Sequence, residues 1–482
     1  MNLRHLILSL LLTASLTAVA YEPIVHLRPC RPQRHQSEAA NSRSLHRQSR
    51  RTTDKLKGQR HQLLVLVSFA DQSFKEEEPL AVWDPIFNEH DFSEEPFTGS
   101  VHDYFYAQSY SQLDLTFDLQ LVELAEERKK YRSTSEDDEN SQYLVYDIVD
   151  ELSTRTIDWS LYDWDDDGYI DQLLIVYAGK GSSYAGMGGG YNAIWPHQWW
   201  LSEHEDGEVR IVSTDEKDYT IDCYCCVQEL SSSGNYGSFG TICHEYSHCF
   251  GLPDFYGSSS YLHHWDVMDN GNYSGGGFRP CGYSAHERMF MGWLTPIELT
   301  EATTITSMPP TTDHATAYII RNDAHSDEYY LIENRQQTGW DQSLPSSGIV
   351  IFHVDFDADV WLHGTPNESS HKRYHIFPAN NSTSSSEVAG WAYPYQDNNQ
   401  LTNESSPAAT LYNANTDGTL FMSKPITEMA VTGDMASFHF SPTTTGIKQQ
   451  TANTNGQLLY RFGSIDIIRT TDGKIQKVVS RP

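Results

Sequence analysis

The chain has 482 residues, 38% of them apolar, with 28 tyrosines and 11 tryptophans, which excludes a disordered polymer and argues for more than one ordinary core. Its formal net charge of −32 excludes nucleic acid and anionic membrane as charge-held partners. No stretch beyond the N-terminus is apolar enough to span a bilayer, so no membrane insertion is expected and a soluble monomer is the reading.

At the N-terminus, Arg4 and His5 precede the run LILSLLL, and Ala18-Val19-Ala20 follows. A basic start, a short apolar run and an A-x-A site predict a secretory signal peptide over residues 1–20. The product is then expected outside the cell or at its surface. Residues 21–60 carry ten Lys/Arg against three Asp/Glu, a net of +7, whereas from 61 onward 22 basic residues face 62 acidic ones, a net of −40. This basic, Pro- and Ser-rich segment reads as a disordered linker or as a pro-segment that lies on the acidic body and is later removed. Arg50-Arg51 and Arg60 are the expected cleavage points. Cys30 stands alone in this segment. It is an incidental thiol or a latency switch whose thiolate fills an open metal position.

From 61 to 295 strand and helix patterns mix. Leu63–Phe69 (LLVLVSF) and Leu173–Gly179 (LLIVYAG) are apolar runs of buried-strand length. Val101–Tyr110 has helical patterning, and Gln142–Leu152 has apolar residues at 144, 145, 148, 149 and 152, the spacing of one buried helix face. Between Leu152 and Leu173, DWDDDGYID sets Asp163, Asp165 and Asp167 at alternate positions before Gly168. This is the first half of a calcium loop, in which alternating oxygens grip the ion and glycine allows the turn. Position twelve is Leu174 and not glutamate, so Asp171, the Tyr169 carbonyl or distant groups must complete the shell. An acidic turn without an ion is the alternative; the repulsion among so many carboxylates favours calcium.

The most informative stretch is CHEYSHCFGLPD, Cys243–Asp254. On a helix over Thr241–Leu252, residues i and i+4 share a face, so His244 and His248 can offer ring nitrogens to one ion. Glu245 projects beside them, suited to act as base on a water. Gly251 ends the helix, and the chain turns back to bring Asp254 to the same ion. His-Glu-x-x-His alone occurs by chance; the added glycine and third ligand make the pattern specific, against a polar helix with two chance histidines. A structural zinc site would favour four protein ligands, commonly cysteines. The reserves for the third ligand are Asp266, Asp269, His263 and His264. Downstream, WDVMDNG places Met268 in a turn similar to the methionine floor of metzincin zinc sites.

Six of the seven cysteines, Cys223, Cys225, Cys226, Cys243, Cys249 and Cys281, cluster, and in a secreted protein that predicts local disulfides. After Pro296 short β-branched and aromatic runs (AYIIR, EYYLIENR, GIVIFHVD, RYHIFPA) separated by turn residues predict an all-β sandwich domain over 296–442. Residues 443–482 read as a polar linker and a tail with a strand, SIDIIR.

These stretches resemble the secreted bacterial metallopeptidases of the immune inhibitor A type. TICHEYSHCFGLPDFYG, WDVMDNGNY, SAHERMFMGWL, YDWDDDGYIDQLLIVYAGKG, IWPHQWW, EYYLIENRQ and GIVIFHVD carry the resemblance, which runs from about residue 60 to 440. It implies an α+β chain: a zincin-type catalytic domain over 61–295 followed by the β-sandwich. It also implies zinc held by His244, His248 and Asp254, Glu245 as general base, and protein or peptide substrates. Metzincins often carry a tyrosine two residues after the turn methionine; here that residue is Asn270. The tail loosely resembles sorting tails of secreted Bacteroidetes proteins, which implies export past an outer membrane. The competing function is a surface adhesin or carbohydrate-binding protein that uses the β-domain and has lost catalysis; a degenerate motif would mark it, and here the motif is intact.

Overall fold

The computed structural model describes residues 53–132, 140–184, 193–204 and 207–442, together with three strands of the tail. The leader, Cys30, Arg50-Arg51 and residues 185–192 of the glycine-rich loop lie outside the described residues.

The N-terminal half contains strands β1 (Gly58–Ser68), β2 (Leu113–Glu123), β3 (Tyr169–Ile170), β4 (Leu173–Lys180), β5 (His197–Trp200), β6 (Arg210–Ser213), β7 (Asp218–Ile221) and β8 (Cys223–Leu230). Five of them form one sheet of order β2-β1-β4-β8-β5, parallel except for the edge strand β5. The other three make a small sheet of order β3-β7-β6. Both expected strands are central and buried on both faces, which is why they read as unbroken apolar runs. Leu64, Leu66, Leu174 and Val176 face the layer that holds the Phe239–Cys249 helix. Leu63, Val65, Leu173 and Ile175 face the opposite layer, with the Ser141–Leu152 helix and its stripe of Leu144, Val145, Ile148, Val149 and Leu152.

Arg60, an expected cleavage point, sits inside β1 paired with Leu115 of β2. Leu56 accepts a hydrogen bond at its carbonyl from the Trp293 indole at 2.8 Å, so the folded body begins before residue 61. The expected disulfides are not formed: all six clustered cysteines are buried thiols. Cys225 and Cys226 are neighbours on β8 and therefore point to opposite layers, where they pack as small apolar groups.

The second half adds β9 (Ile297–Glu298), β10 (Thr303–Met308), β11 (Tyr318–Arg321), β12 (Glu328–Arg335), β13 (Gly348–Asp355), β14 (Tyr374–Ile376), β15 (Ile426–Thr432) and β16 (Met435–Phe440). They form a five-stranded sheet, β14-β13-β12-β11-β9, and a three-stranded sheet, β10-β16-β15. Alternate residues of β12 and β13 enter different cores. Tyr330, Ile332, Ile349 and Ile351 pack with Ile426, Phe438 and Phe440 of the smaller sheet. Leu331, Val350, Phe352 and Val354 join the core of the N-terminal half. The five-stranded sheet is thus a middle layer, and the change of texture near residue 296 is no break in packing. Arg335, fully buried on β12, fixes the junction: it donates to Asp341 at 2.8 and 2.7 Å and to the Gly282 carbonyl at 2.9 Å. The tail strands Gly456–Phe462, Ile465–Thr470 and Ile475–Val479 pair as a three-stranded antiparallel sheet.

Candidate active site

The motif helix runs from Phe239 to Cys249. Ser238 caps it, its hydroxyl accepting from the Thr241 amide at 3.3 Å. Its apolar stripe, Phe239, Ile242, Cys243, Tyr246 and Cys249, keeps helical spacing and enters the core. The Tyr246 hydroxyl donates to Gln62 of β1 at 2.8 Å, pinning the helix to the central sheet. Gly240 allows the close approach of residues 270–277, since a Cβ there would meet the Asn272 carbonyl oxygen at 1.8 Å. Gly251, at φ +97°, ends the helix in a conformation that side-chain-bearing residues resist and turns the chain toward Asp254.

The turn brings the expected ligands together. Asp254 Oδ1 lies 3.1 Å from His244 Nε2 and 3.4 Å from His248 Nε2. The opposite nitrogens face carbonyls: His244 Nδ1 donates to Val267 at 2.8 Å and His248 Nδ1 to Leu252 at 2.7 Å. Each carbonyl holds the ring proton on Nδ1, so each Nε2 presents a lone pair. Asp254 Oδ1 is buried without a hydrogen-bond partner. With the ring protons on Nδ1, three lone-pair atoms converge on one point, a donor set that suits a cation. Glu245 is buried beside them, and one donor atom each from His244, Glu245 and His248 lies within 4.8 Å of the others.

The Met268 turn is hydrogen-bonded to both sides of this corner. Its Val267 carbonyl orients His244, and the Met268 carbonyl accepts from the Phe255 amide at 2.9 Å, so one turn ties down the chain on both sides of Gly251. Met268 itself is fully buried. The reserves serve elsewhere. Asp269 accepts from the amides of Tyr261, Leu262 and His263. Asp266 accepts from the Met268 amide at 2.8 Å. His263 packs against Trp391, and His264 lies 3.4 Å from the Ser274 hydroxyl. Tyr256 was not singled out from sequence. Its ring lies parallel to that of His244, 6.4 Å between centroids, and its place two residues past Asp254 was the available signal.

The acidic loop is built differently from the expectation. Asp163, Asp165 and Asp171 do converge, but Asp167 turns its carboxylate to the Tyr169 amide at 2.8 Å. Lys55 Nζ lies 3.1 Å from Asp165 and 2.5 Å from Asp171, and Lys217 Nζ lies 2.9 Å from Asp163. The Asp163 oxygens also accept from the Asp167 and Gly168 amides. Two ammonium groups and these amides supply the charge compensation for which calcium was invoked. The same carboxylates, Asp163, Asp165 and Asp171, each keep one oxygen within 4.8 Å of the others.

Residues 59–293 match the family described as immune inhibitor A peptidase M6, catalytic domain. The chain is 28% identical over 183 residues to pre-pro-metalloprotease PrtV of Vibrio cholerae, an overlap covering 32% of this chain and 19% of that protein. It is 31% identical over 139 residues to immune inhibitor A of Bacillus thuringiensis subsp. alesti, covering 26% of this chain and 19% of that protein. The chain therefore matches about a fifth of the length of either relative. No helix among the described residues is long and apolar enough to cross a membrane.

Proposed function

We propose, from the premise that residues 59–293 form a peptidase M6 catalytic domain of the immune inhibitor A family, that the protein is a secreted zinc-dependent endopeptidase acting on proteins or peptides. The convergence of His244 Nε2, His248 Nε2 and Asp254 Oδ1 on one buried point beside Glu245 carries this reading. These three residues would hold zinc, which would supply an acidified water and polarisation of the scissile carbonyl.

Glu245 takes the proton of the attacking water and delivers it to the leaving amine. Its burial at 3% exposure keeps bulk water from competing for that proton. Tyr256 is the candidate donor to the carbonyl oxygen as it gains charge, a part the resemblance left unfilled at Asn270. With one carboxylate ligand the site is about one charge less positive than three histidines would make it. The two sheets of the second half are read as a sandwich that supports the site. The reading does not require calcium.

Casein digestion tests it. Full-length protein should cleave casein, lose activity to a zinc chelator and regain it with added zinc. Absence of cleavage under all three conditions would favour the adhesin reading.

A further inference from the structure

We propose that His90, His102 and Asp103 form a second transition-metal site, separate from the catalytic motif. One donor atom from each lies within 4.8 Å of the others. His102, on the Val101–Gln108 helix, is 3% exposed. Its Nε2 lies 2.9 Å from Asp114 Oδ1 on β2, and that carboxylate holds the ring proton on Nε2. Nδ1 then carries a lone pair, buried and without a hydrogen-bond partner. It faces Asp103 Oδ1 at 3.8 Å, beyond hydrogen-bond reach but near the separation of two ligands that share one ion. His90 Nδ1 is 4.0 Å from the same oxygen, and the two imidazole centroids are 4.2 Å apart.

The backbone is arranged to hold His90 there. Asp103 accepts from the Ser100 amide as part of the helix cap, and also from the amides of Asp91 at 3.1 Å and Phe92 at 3.2 Å. Asp91 adopts φ 57°, which folds the loop back over the first helical turn. Tyr106 stacks on His102 with centroids 5.3 Å apart and covers its other side. Capping accounts for Ser100 and Asp103. It does not account for an imidazole lone pair buried toward a carboxylate with a second imidazole above it. Two imidazoles and one carboxylate are a donor set for zinc-class ions, whereas calcium takes oxygens. The His90 side chain is 72% exposed, which leaves an open path for the ion. The bound ion clips the loop after the Pro79–Asn88 helix to the helix that follows.

The competing state is a doubly protonated His102 between Asp103 and Asp114: burial lowers its pKa, and the two carboxylates more than offset this and raise it. Zinc counting separates the two. Full-length Glu245→Ala protein, which does not digest itself, is stripped with chelator, dialysed against zinc chloride and measured by plasma mass spectrometry. Two zinc ions per chain are expected, falling to one with His90→Ala and to one with His244→Ala/His248→Ala. His90 is exposed, so circular dichroism should show the His90→Ala fold unchanged. In the double variant, zinc should still raise the melting temperature, and cobalt should still give a visible absorption band that His90→Ala removes. One zinc per chain in the parent, or an unchanged count in His90→Ala, overturns the proposal. Loss of zinc from the catalytic site alone would instead leave the His90-dependent ion in place.

Discussion

The ring of Phe255 meets the ring of Tyr374 edge-on, with centroids 4.5 Å apart. Phe255 directly follows the candidate ligand Asp254, whereas Tyr374 belongs to β14 of the second half, and its hydroxyl lies 2.7 Å from Ser284 Oγ. Asn367 adds a hydrogen bond to the Phe255 carbonyl at 2.7 Å. The candidate third ligand is thus held in place by residues more than a hundred positions away in sequence.

Tyr374→Ala should therefore weaken metal binding although Tyr374 touches no ligand. Losing a buried aromatic ring costs about 3–5 kcal/mol, and the Asp254 loop should loosen with it. Tyr374→Phe keeps the ring contact and should cost only about 1 kcal/mol for the lost hydrogen bond. Urea unfolding and zinc titration of both variants check this. Equal zinc affinities in the two would detach Phe255 packing from ligand placement.

Glu245→Gln should reduce peptide hydrolysis by roughly 10²–10⁴-fold, the range for a general base, while zinc content stays at the wild-type value. The amide keeps the shape and loses the basic lone pair. Substantial residual activity would remove Glu245 from the proton-transfer role.

Asp254→Ala should lower zinc affinity by more than the roughly 10–100-fold typical of losing a group behind a ligand. Retention of full zinc stoichiometry after dialysis against a weak chelator would reassign the third ligand.

Glu328 predicts an acid-sensitive second half. Burial opposes its ionisation, but donation from His353 at 2.9 Å, from Asn322 at 3.0 Å and from the Tyr412 and Asn413 amides holds its pKa at about 2. A depressed carboxylate stabilises the fold fully above its ordinary pKa of 4.5 and loses that contribution as pH falls through about 2. At about 1.4 kcal/mol per pKa unit, the contribution is on the order of 3 kcal/mol. The denaturant midpoint should fall between pH 4.5 and 2, and a Glu328→Gln variant, already destabilised, should show a shallower fall. Parallel pH curves for the two proteins would contradict this.

Lys55 and Lys217 predict a weak calcium response. Calcium should raise the wild-type melting temperature little, because Lys55 already bridges Asp165 and Asp171. Lys55→Met leaves those carboxylates without their cation and should show a clearly larger rise. A large wild-type shift that Lys55→Met does not enlarge would restore calcium as the native occupant.

The juxtaposition of the motif residues was legible because its parts are local. His244, Glu245 and His248 fall within two turns of one helix, and Gly251 states where it stops; the backbone repeat alone puts both imidazoles on one side. The buried strands at Leu63 and Leu173 were legible for a similar reason, since burial on both faces leaves an uninterrupted apolar run. Clustered acids and clustered cysteines were misleading. Sequence displays their charge or reactivity but not the lysines or packing that answer it, and Lys55 reaches Asp171 across more than a hundred residues. The His90–His102–Asp103 cluster spans 14 residues yet has no fixed repeat, because it depends on a left-handed residue at Asp91. What the sequence by itself determined was the local periodicity and stop signals that aim two imidazoles and a carboxylate along one stretch. Only the tertiary structure decided that Asp254 reaches them, with Phe255 clamped by Tyr374, and that lysines answer the acidic loop, because contacts between distant segments are set by how cores pack.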